Sequence, residues 1–197
     1  NCYFAPALVV RIARQYPRLR LQILGRSSQE VGELVERGHA DVGIVYDTMI
    51  GSGGLDVRFL HDERMVLYHR RDLPVSANPA GQALVTRSLP LVVFPQGYAL
   101  RQLIDRTFGS DLFKLVQVET LDLMLEVVRT GIAACVLPGA LPRTMIEDGG
   151  LVRQEIAGPP LQRRVVAIVR ESQALNPLAS AVLATLGELA AHLAEET

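Results

Sequence analysis

The sequence predicts an α/β protein built as two similar lobes, and three observations carry that prediction. Short apolar runs alternate with amphipathic stretches of about ten residues, the pattern of strands connected through helices. The order hydroxyl, amphipathic helix, glycine, apolar strand occurs at 28–45 and again at 120–138. A chain of 197 residues is also long enough for one large domain or for two lobes of about 100 residues. Ordinary βαβ convergence would produce the same repeat, but two lobes built alike is the more economical reading.

The elements follow in order. Residues 6–16 read as a helix, with Pro6 at its start and Pro17 ending it. LRLQIL, 19–24, alternates as a strand does. Residues 28–37 form a helix with Val31, Leu34 and Val35 on one face, and Ser27 and Glu30 have capping-box spacing. Gly38 stops that helix. DVGIVYD, 41–47, is nearly continuous in apolar character, as for a strand covered on both faces.

A loop, MIGSGG at 49–54, leads to two strand candidates at 55–60 and 64–69. The Pro-rich stretch 70–81 is a plausible crossing between lobes. LVVF, 91–94, is a strand, PQG a turn, and 98–108 a helix with Leu100, Leu103, Ile104 and Phe108 on one side. LVQV, 115–118, is a strand. Thr120 opens a helix closed by Gly131, and IAACVLP returns as a strand. After a loop at 139–150 come a strand at 163–170 and a long terminal helix whose stripe is Leu178, Val182, Leu186 and Leu189.

Composition excludes several classes. A net charge of −1 with dispersed charges argues against this chain gripping nucleic acid by itself, because phosphate binding relies on a concentrated basic face. No apolar run approaches the roughly 18 residues of a membrane span, and no signal peptide is read. Two cysteines, Cys2 and Cys135, make no disulfide framework, and Cys135 within IAACVL reads as a buried reduced thiol. NCYFAPALVV carries no initiator Met and reads as the interior of a longer cytoplasmic protein.

Catalytic signals are few. His39, His61, His69 and His192 form no metal-ligand spacing and read as solvated or packed histidines. No nucleophile elbow or phosphate loop is present, and GSGG at 51–54 lacks the dinucleotide fingerprint. No catalytic residue, metal or cofactor is expected. Ser27 and Ser28 have two readings: caps that satisfy backbone N–H groups, or groups that join those N–H donors in holding a carboxylate, sulfate or phosphate.

Taken in order, FAPALVVRIARQYPRLRLQI, SSQEVGELVERGHADVGIV, FLHDERMVLYHRRDLP, VVFPQGYALRQLID, VETLDLMLEVVRTGIAACVLP and VVAIVR resemble the effector-binding domain of LysR-type transcriptional regulators along nearly the whole chain. LPLVVFPQGYALRQLIDRTF is faintly similar to the nitrogen-assimilation branch. The resemblance implies a type 2 periplasmic-binding-protein fold: two Rossmann-like lobes joined by two crossing strands, lobe I being 1–68 plus 169–197 and lobe II 69–168. It implies a small effector in the cleft, in keeping with open α/β sheets that bind beyond the carboxyl ends of their strands. Effector contacts carried over fall on Ser27, Ser28, Gln96, Gly97, Tyr98 and Thr120. Gln96 and Tyr98 equally suit a turn and a helix start, Thr120 equally suits a cap, and Arg101 is expected on a solvated face.

The resemblance further implies a homodimer or tetramer through the helix at 6–16, with Val9, Val10 and Ala13, and the strand at 19–24. DNA would be bound only by an N-terminal winged helix-turn-helix region upstream. Family members also have a strand before the first helix, ending in an effector-touching Ser or Thr, and the chain begins just past that point. A regulatory domain sensing an anionic metabolite is therefore expected. A solute receptor of a transport system is the alternative, and an enzyme on this fold the third.

Overall fold

Alternating apolar and amphipathic segments take the shape of seven strands and six α-helices among the residues that the computed structural model describes, 4–49, 53–147, 150–174 and 176–195. Cys2 lies outside them. In chain order these are α1 (Phe4–Gln15), α2 (Ser28–Glu36), β1 (Val42–Tyr46), β2 (Leu55–Arg70), β3 (Leu91–Val93), α3 (Ala99–Phe108), β4 (Lys114–Gln117), α4 (Leu121–Arg129), β5 (Cys135–Pro138), α5 (Arg143–Glu147), β6 (Leu151–Gln154), β7 (Gln162–Arg170) and α6 (Pro177–Glu195). They divide into two compact units. One holds the described residues up to Asp62 and from Arg163 on, the other Glu63–Gln162.

In the first unit β1 pairs antiparallel with β7, Val42 opposite Val169 and Tyr46 opposite Val165, and β7 neighbours β2. The sheet is apolar on both faces because both are covered. Val165, Ala167 and Val169 meet Ala179, Leu183, Leu186 and Ala190 of α6 together with Ala7 and Leu8 of α1. On the other face Val45, Val166 and Ile168 meet Val31 and Val35 of α2. Gly43 permits this approach: a Cβ there would lie 2.7 Å from Val31 Cγ1 and 2.9 Å from Ile168 Cγ1.

In the second unit the latter part of β2 is flanked by β5 and β6, both antiparallel, with Leu67 opposite Val136 and Gln154. β3 and β4 run parallel, and Leu91 bridges to Ala134 beside β5. Leu67, Tyr68, Leu91, Ile104, Met124, Leu125, Val128 and Leu137 form the centre of its core.

The anticipated repeat extends to detail. Gly38 and Gly131 end α2 and α4 at φ 75° and 81°, left-handed values that glycine adopts without strain. A Cβ on Gly38 would strike the Arg170 guanidinium, and one on Gly131 that of Arg70. These arginines end the long strands β7 and β2, so each unit brings a cation to the negative end of its helix.

Several expectations fail. Residues 20–26 are exposed and belong to no strand, with no ladder partner among the described residues, so the strand at 19–24 is not formed. Alternation alone cannot make a strand, whose backbone groups need a neighbour. The candidates at 55–60 and 64–69 are one strand, because the intervening His61 and Glu63 are buried and continue the pleat. The chain enters the second unit inside this strand, so 70–81 is not a crossing and lies within that unit. The loop expected at 139–150 contains α5. Strand β6, Leu151–Gln154, was not anticipated. In α6 Leu178 is exposed, and Ala179 and Leu183 join Leu186 in its place.

Candidate functional site

In the first unit the chain reaches α2 through Ser27, which is extended at φ −63° and ψ 156° and almost buried. Its hydroxyl oxygen accepts from the Glu30 N–H at 3.3 Å and donates to Glu30 Oε2 at 2.7 Å. The Ser27 N–H donates to the same carboxylate oxygen at 2.9 Å. Those bonds hold the Glu30 carboxyl below the usual carboxylate range, the Ser27 hydroxyl being the largest cause. The capping box is thus complete, and Ser27 is committed to it.

Ser28 differs. Its hydroxyl accepts from the Tyr46 N–H at 3.3 Å, tying the positive end of α2 to the carboxyl end of β1, and it retains a proton to donate. The same strand end carries a residue that sequence reasoning passed over. The Arg163 guanidinium lies 4.3 Å from the centroid of the Tyr46 ring, and Arg163 is only 8% exposed. In the sequence Arg163 is one of two adjacent arginines opening a strand, and only the pairing of β1 with β7 sets it beside Tyr46.

In the second unit the loops 94–98 and 118–120 leave the carboxyl ends of β3 and β4. Because these strands are parallel and adjacent, the loops open side by side, and the Val118 N–H donates to the Val93 carbonyl at 3.0 Å. The Tyr98 N–H closes a turn on the Pro95 carbonyl at 2.9 Å, and the Phe94 and Tyr98 rings stack 5.1 Å apart at 9°. Gln96 and Gly97 at the tip are exposed, and nothing lies within 4 Å of the position a Cβ on Gly97 would take. Tyr98 begins α3 without a side-chain cap. Thr120 is exposed and caps α4, its hydroxyl accepting from the Leu123 N–H at 3.4 Å.

The structure therefore places Ser27 and Ser28 in one unit, and Gln96, Gly97, Tyr98 and Thr120 together at one sheet end of the other. Arg101 is not on a solvated face. It is buried, with Nε 2.7 Å from Asp105 Oδ2 and a guanidinium N–H donating to the Phe94 carbonyl at 3.2 Å. An unpaired cation would not be buried, and the acid one helical turn on makes it possible. Cys135 is buried as expected, and burial pushes its thiol far up, away from thiolate chemistry. His69 is packed between the Arg70 carbonyl and Gln154. No group of three His, Cys, Asp or Glu suited to a metal occurs among the described residues, and no helix among them is long and apolar enough to cross a membrane.

The described residues thus form two α/β units with loops at strand ends and helix N-termini beside them. Residues 1–191 match the family of the LysR substrate binding domain, and the chain belongs to that family. It is 30% identical over 182 residues to a probable nitrogen assimilation transcriptional activator of Synechococcus elongatus, covering 90% of this chain and 59% of that protein. It is 27% identical over 190 residues to the uncharacterized HTH-type transcriptional regulator YbhD of Escherichia coli, covering 93% and 58%. The chain thus spans about three fifths of the length of these relatives. Among solved structures, reduced OxyR of Neisseria meningitidis has a TM-score of 0.76 at 22% identity, covering 94% of this chain and 88% of that one. The regulatory domain of Synechocystis CcmR in complex with 2-PG has a TM-score of 0.78 at 16% identity, covering 95% and 91%. The fold is that of the type 2 periplasmic binding proteins, and the chain is the effector-binding domain of a LysR-type regulator.

Proposed function

We propose that this domain senses a small anionic effector through Ser28 in one unit and Gln96, Gly97, Tyr98 and Thr120 in the other, with Ser27 shaping the N-terminal end of α2. We take the units as the two lobes. The observation that carries the reading is Ser28: its hydroxyl joins the N-terminus of α2 to the end of β1. A helix N-terminus favours an anion. The Ser28 and Gln29 N–H groups have no protein acceptor among the described residues and are suited to receive one. The activity is binding, with no catalytic step, in a protein of the cytoplasm. A DNA-binding region upstream would carry the signal to an operator.

Two copies associate, on this reading, through α1 and the exposed segment after it. Val9, Val10, Leu21, Ile23 and Leu24 are exposed there, Val10 by 50% and Ile23 by 53%. Clusters of exposed apolar side chains are a feature of protein contacts. Leu115 on the edge strand β4, with Phe113 just before it and Leu123, offers further exposed apolar side chains for the other copy.

The test is a thermal-shift screen of carboxylates, aromatic acids, amino acids, sulfur compounds and 2-PG, since a ligand that binds only the folded chain raises its melting temperature. A hit whose affinity drops in Ser28→Ala and Thr120→Ala supports the site. Hits that bind those variants unchanged would place the effector elsewhere.

A further inference from the structure

Arg101 sits where a cation is disfavoured. It occupies the first turn of α3, at the positive end of the helix dipole, and its side chain is 8% exposed. Two contacts offset this. Asp105 lies one turn on at 2.7 Å, while also pairing with Lys114 at 3.0 Å. Another arm of the fork reaches back across the N-terminus of α3 to the Phe94 carbonyl at 3.2 Å. Phe94 is also the residue whose ring stacks on Tyr98. The five-residue turn is therefore held at its base from two directions, by the guanidinium on the backbone and by the ring pair, while Gln96 and Gly97 stand free at its tip.

We propose that Arg101 is a positioning residue for the effector site: it fixes the loop 94–98 so that Gln96, Gly97 and Tyr98 present one preformed wall. The inference rests on reading that loop as an effector wall, but it assigns Arg101 a role that does not touch the ligand. A planar fork suits the task, because one cation must satisfy a carboxylate and a carbonyl in different directions, which the single point charge of lysine serves poorly. Fixing the wall beforehand spares the ligand the entropy of ordering it.

The experiment uses the chain labelled with fluorotyrosine, the Tyr98 resonance being assigned by its loss in Tyr98→Phe. Arg101→Met leaves Asp105 paired with Lys114, so no carboxylate is stranded. The expected result is a Tyr98 line displaced towards that of unstacked fluorotyrosine, with the Tyr68 line of the same unit's core unmoved. Arg101→Lys is expected to do the same, and it decides the matter if the methionine variant does not fold. A melting temperature lowered by either variant with the Tyr98 line in place overturns the proposal and leaves Arg101 an ordinary ion-pair partner. The loop's role is tested separately: carboxylates that stabilise Tyr98→Ala as much as the parent end the reading of the loop as a wall, whatever Arg101 does.

Discussion

Replacing Ser27 or Ser28 by alanine separates a cap from a contact, because these neighbours hold different partners. Ser27→Ala removes the hydroxyl that accepts from the Glu30 N–H and donates to its carboxylate. Loss of a capping hydroxyl, here with a charge-assisted bond, costs about 1–2 kcal/mol. For a chain of this length that lowers the melting temperature by about 3–6 °C. Ser28→Ala removes one longer bond, accepted from the Tyr46 N–H at 3.3 Å, worth about 0.5–1 kcal/mol and hence about 1–3 °C. If the Ser28 hydroxyl donates its proton to an anionic effector, the loss of affinity is about 10–100-fold, the value of a hydrogen bond to a charged group. Ser27→Ala should leave affinity nearly unchanged. Calorimetric melting and titration with the ligand from the thermal-shift screen measure both quantities. Equal melting shifts in the two variants with unaltered affinity in Ser28→Ala would refute the reasoning and make both serines structural.

Further outcomes follow from the same contacts. Glu30 is held below the usual carboxylate range, so its half of the capping box contributes at neutral pH and is lost in acid, once the carboxyl protonates in the folded chain; the melting difference between Ser27→Ala and the parent should narrow as pH falls below that range, leaving the part carried by the Glu30 N–H. Burial holds His61 below the ordinary imidazole value of about 6.5. The unfolded chain therefore takes up a proton first, stability falls as pH drops through that region, and urea titrations of His61→Gln should show a shallower decline. Gly43→Ala would set a methyl 2.7 Å from Val31 and 2.9 Å from Ile168; overpacking of this kind costs about 1–3 kcal/mol, visible as a lower urea midpoint. In Cys2→Ser the one remaining thiol is buried Cys135, which should resist Ellman's reagent until denaturant is added. Ile23→Glu places a charge on the exposed apolar face beside α1, and sedimentation should show a shift towards monomer with the fold intact.

Much of the fold could be read directly because its signals are local. The S-x-x-E spacing at Ser27 and Glu30, the stop at Gly38 and its counterpart at Gly131 depend on backbone geometry within a few residues. The doubly covered strand β1 announces itself in its composition, because neither face meets water. The order of these segments along the chain was enough to resemble the family it belongs to. The sequence also placed Gln96–Tyr98 and Thr120 at strand ends, where a parallel pair was bound to set them side by side.

What composition could not convey depends on partners distant in the chain. LRLQIL alternates as a strand should, yet it pairs with no strand among the described residues and remains largely exposed. His61 and Glu63 interrupt the apolar pattern of β2 but are buried, and one strand passes from unit to unit where two seemed separate. Arg101 and Arg163 have the residue type of a solvated surface, yet both are buried, Arg101 against Asp105 and the Phe94 carbonyl and Arg163 over the Tyr46 ring. The two serines of the opening helix differ for the same reason. Ser27 is decided by Glu30 three residues away, and the sequence alone shows it; Ser28 is decided by Tyr46, eighteen residues on, which only the packing of α2 against β1 brings within reach.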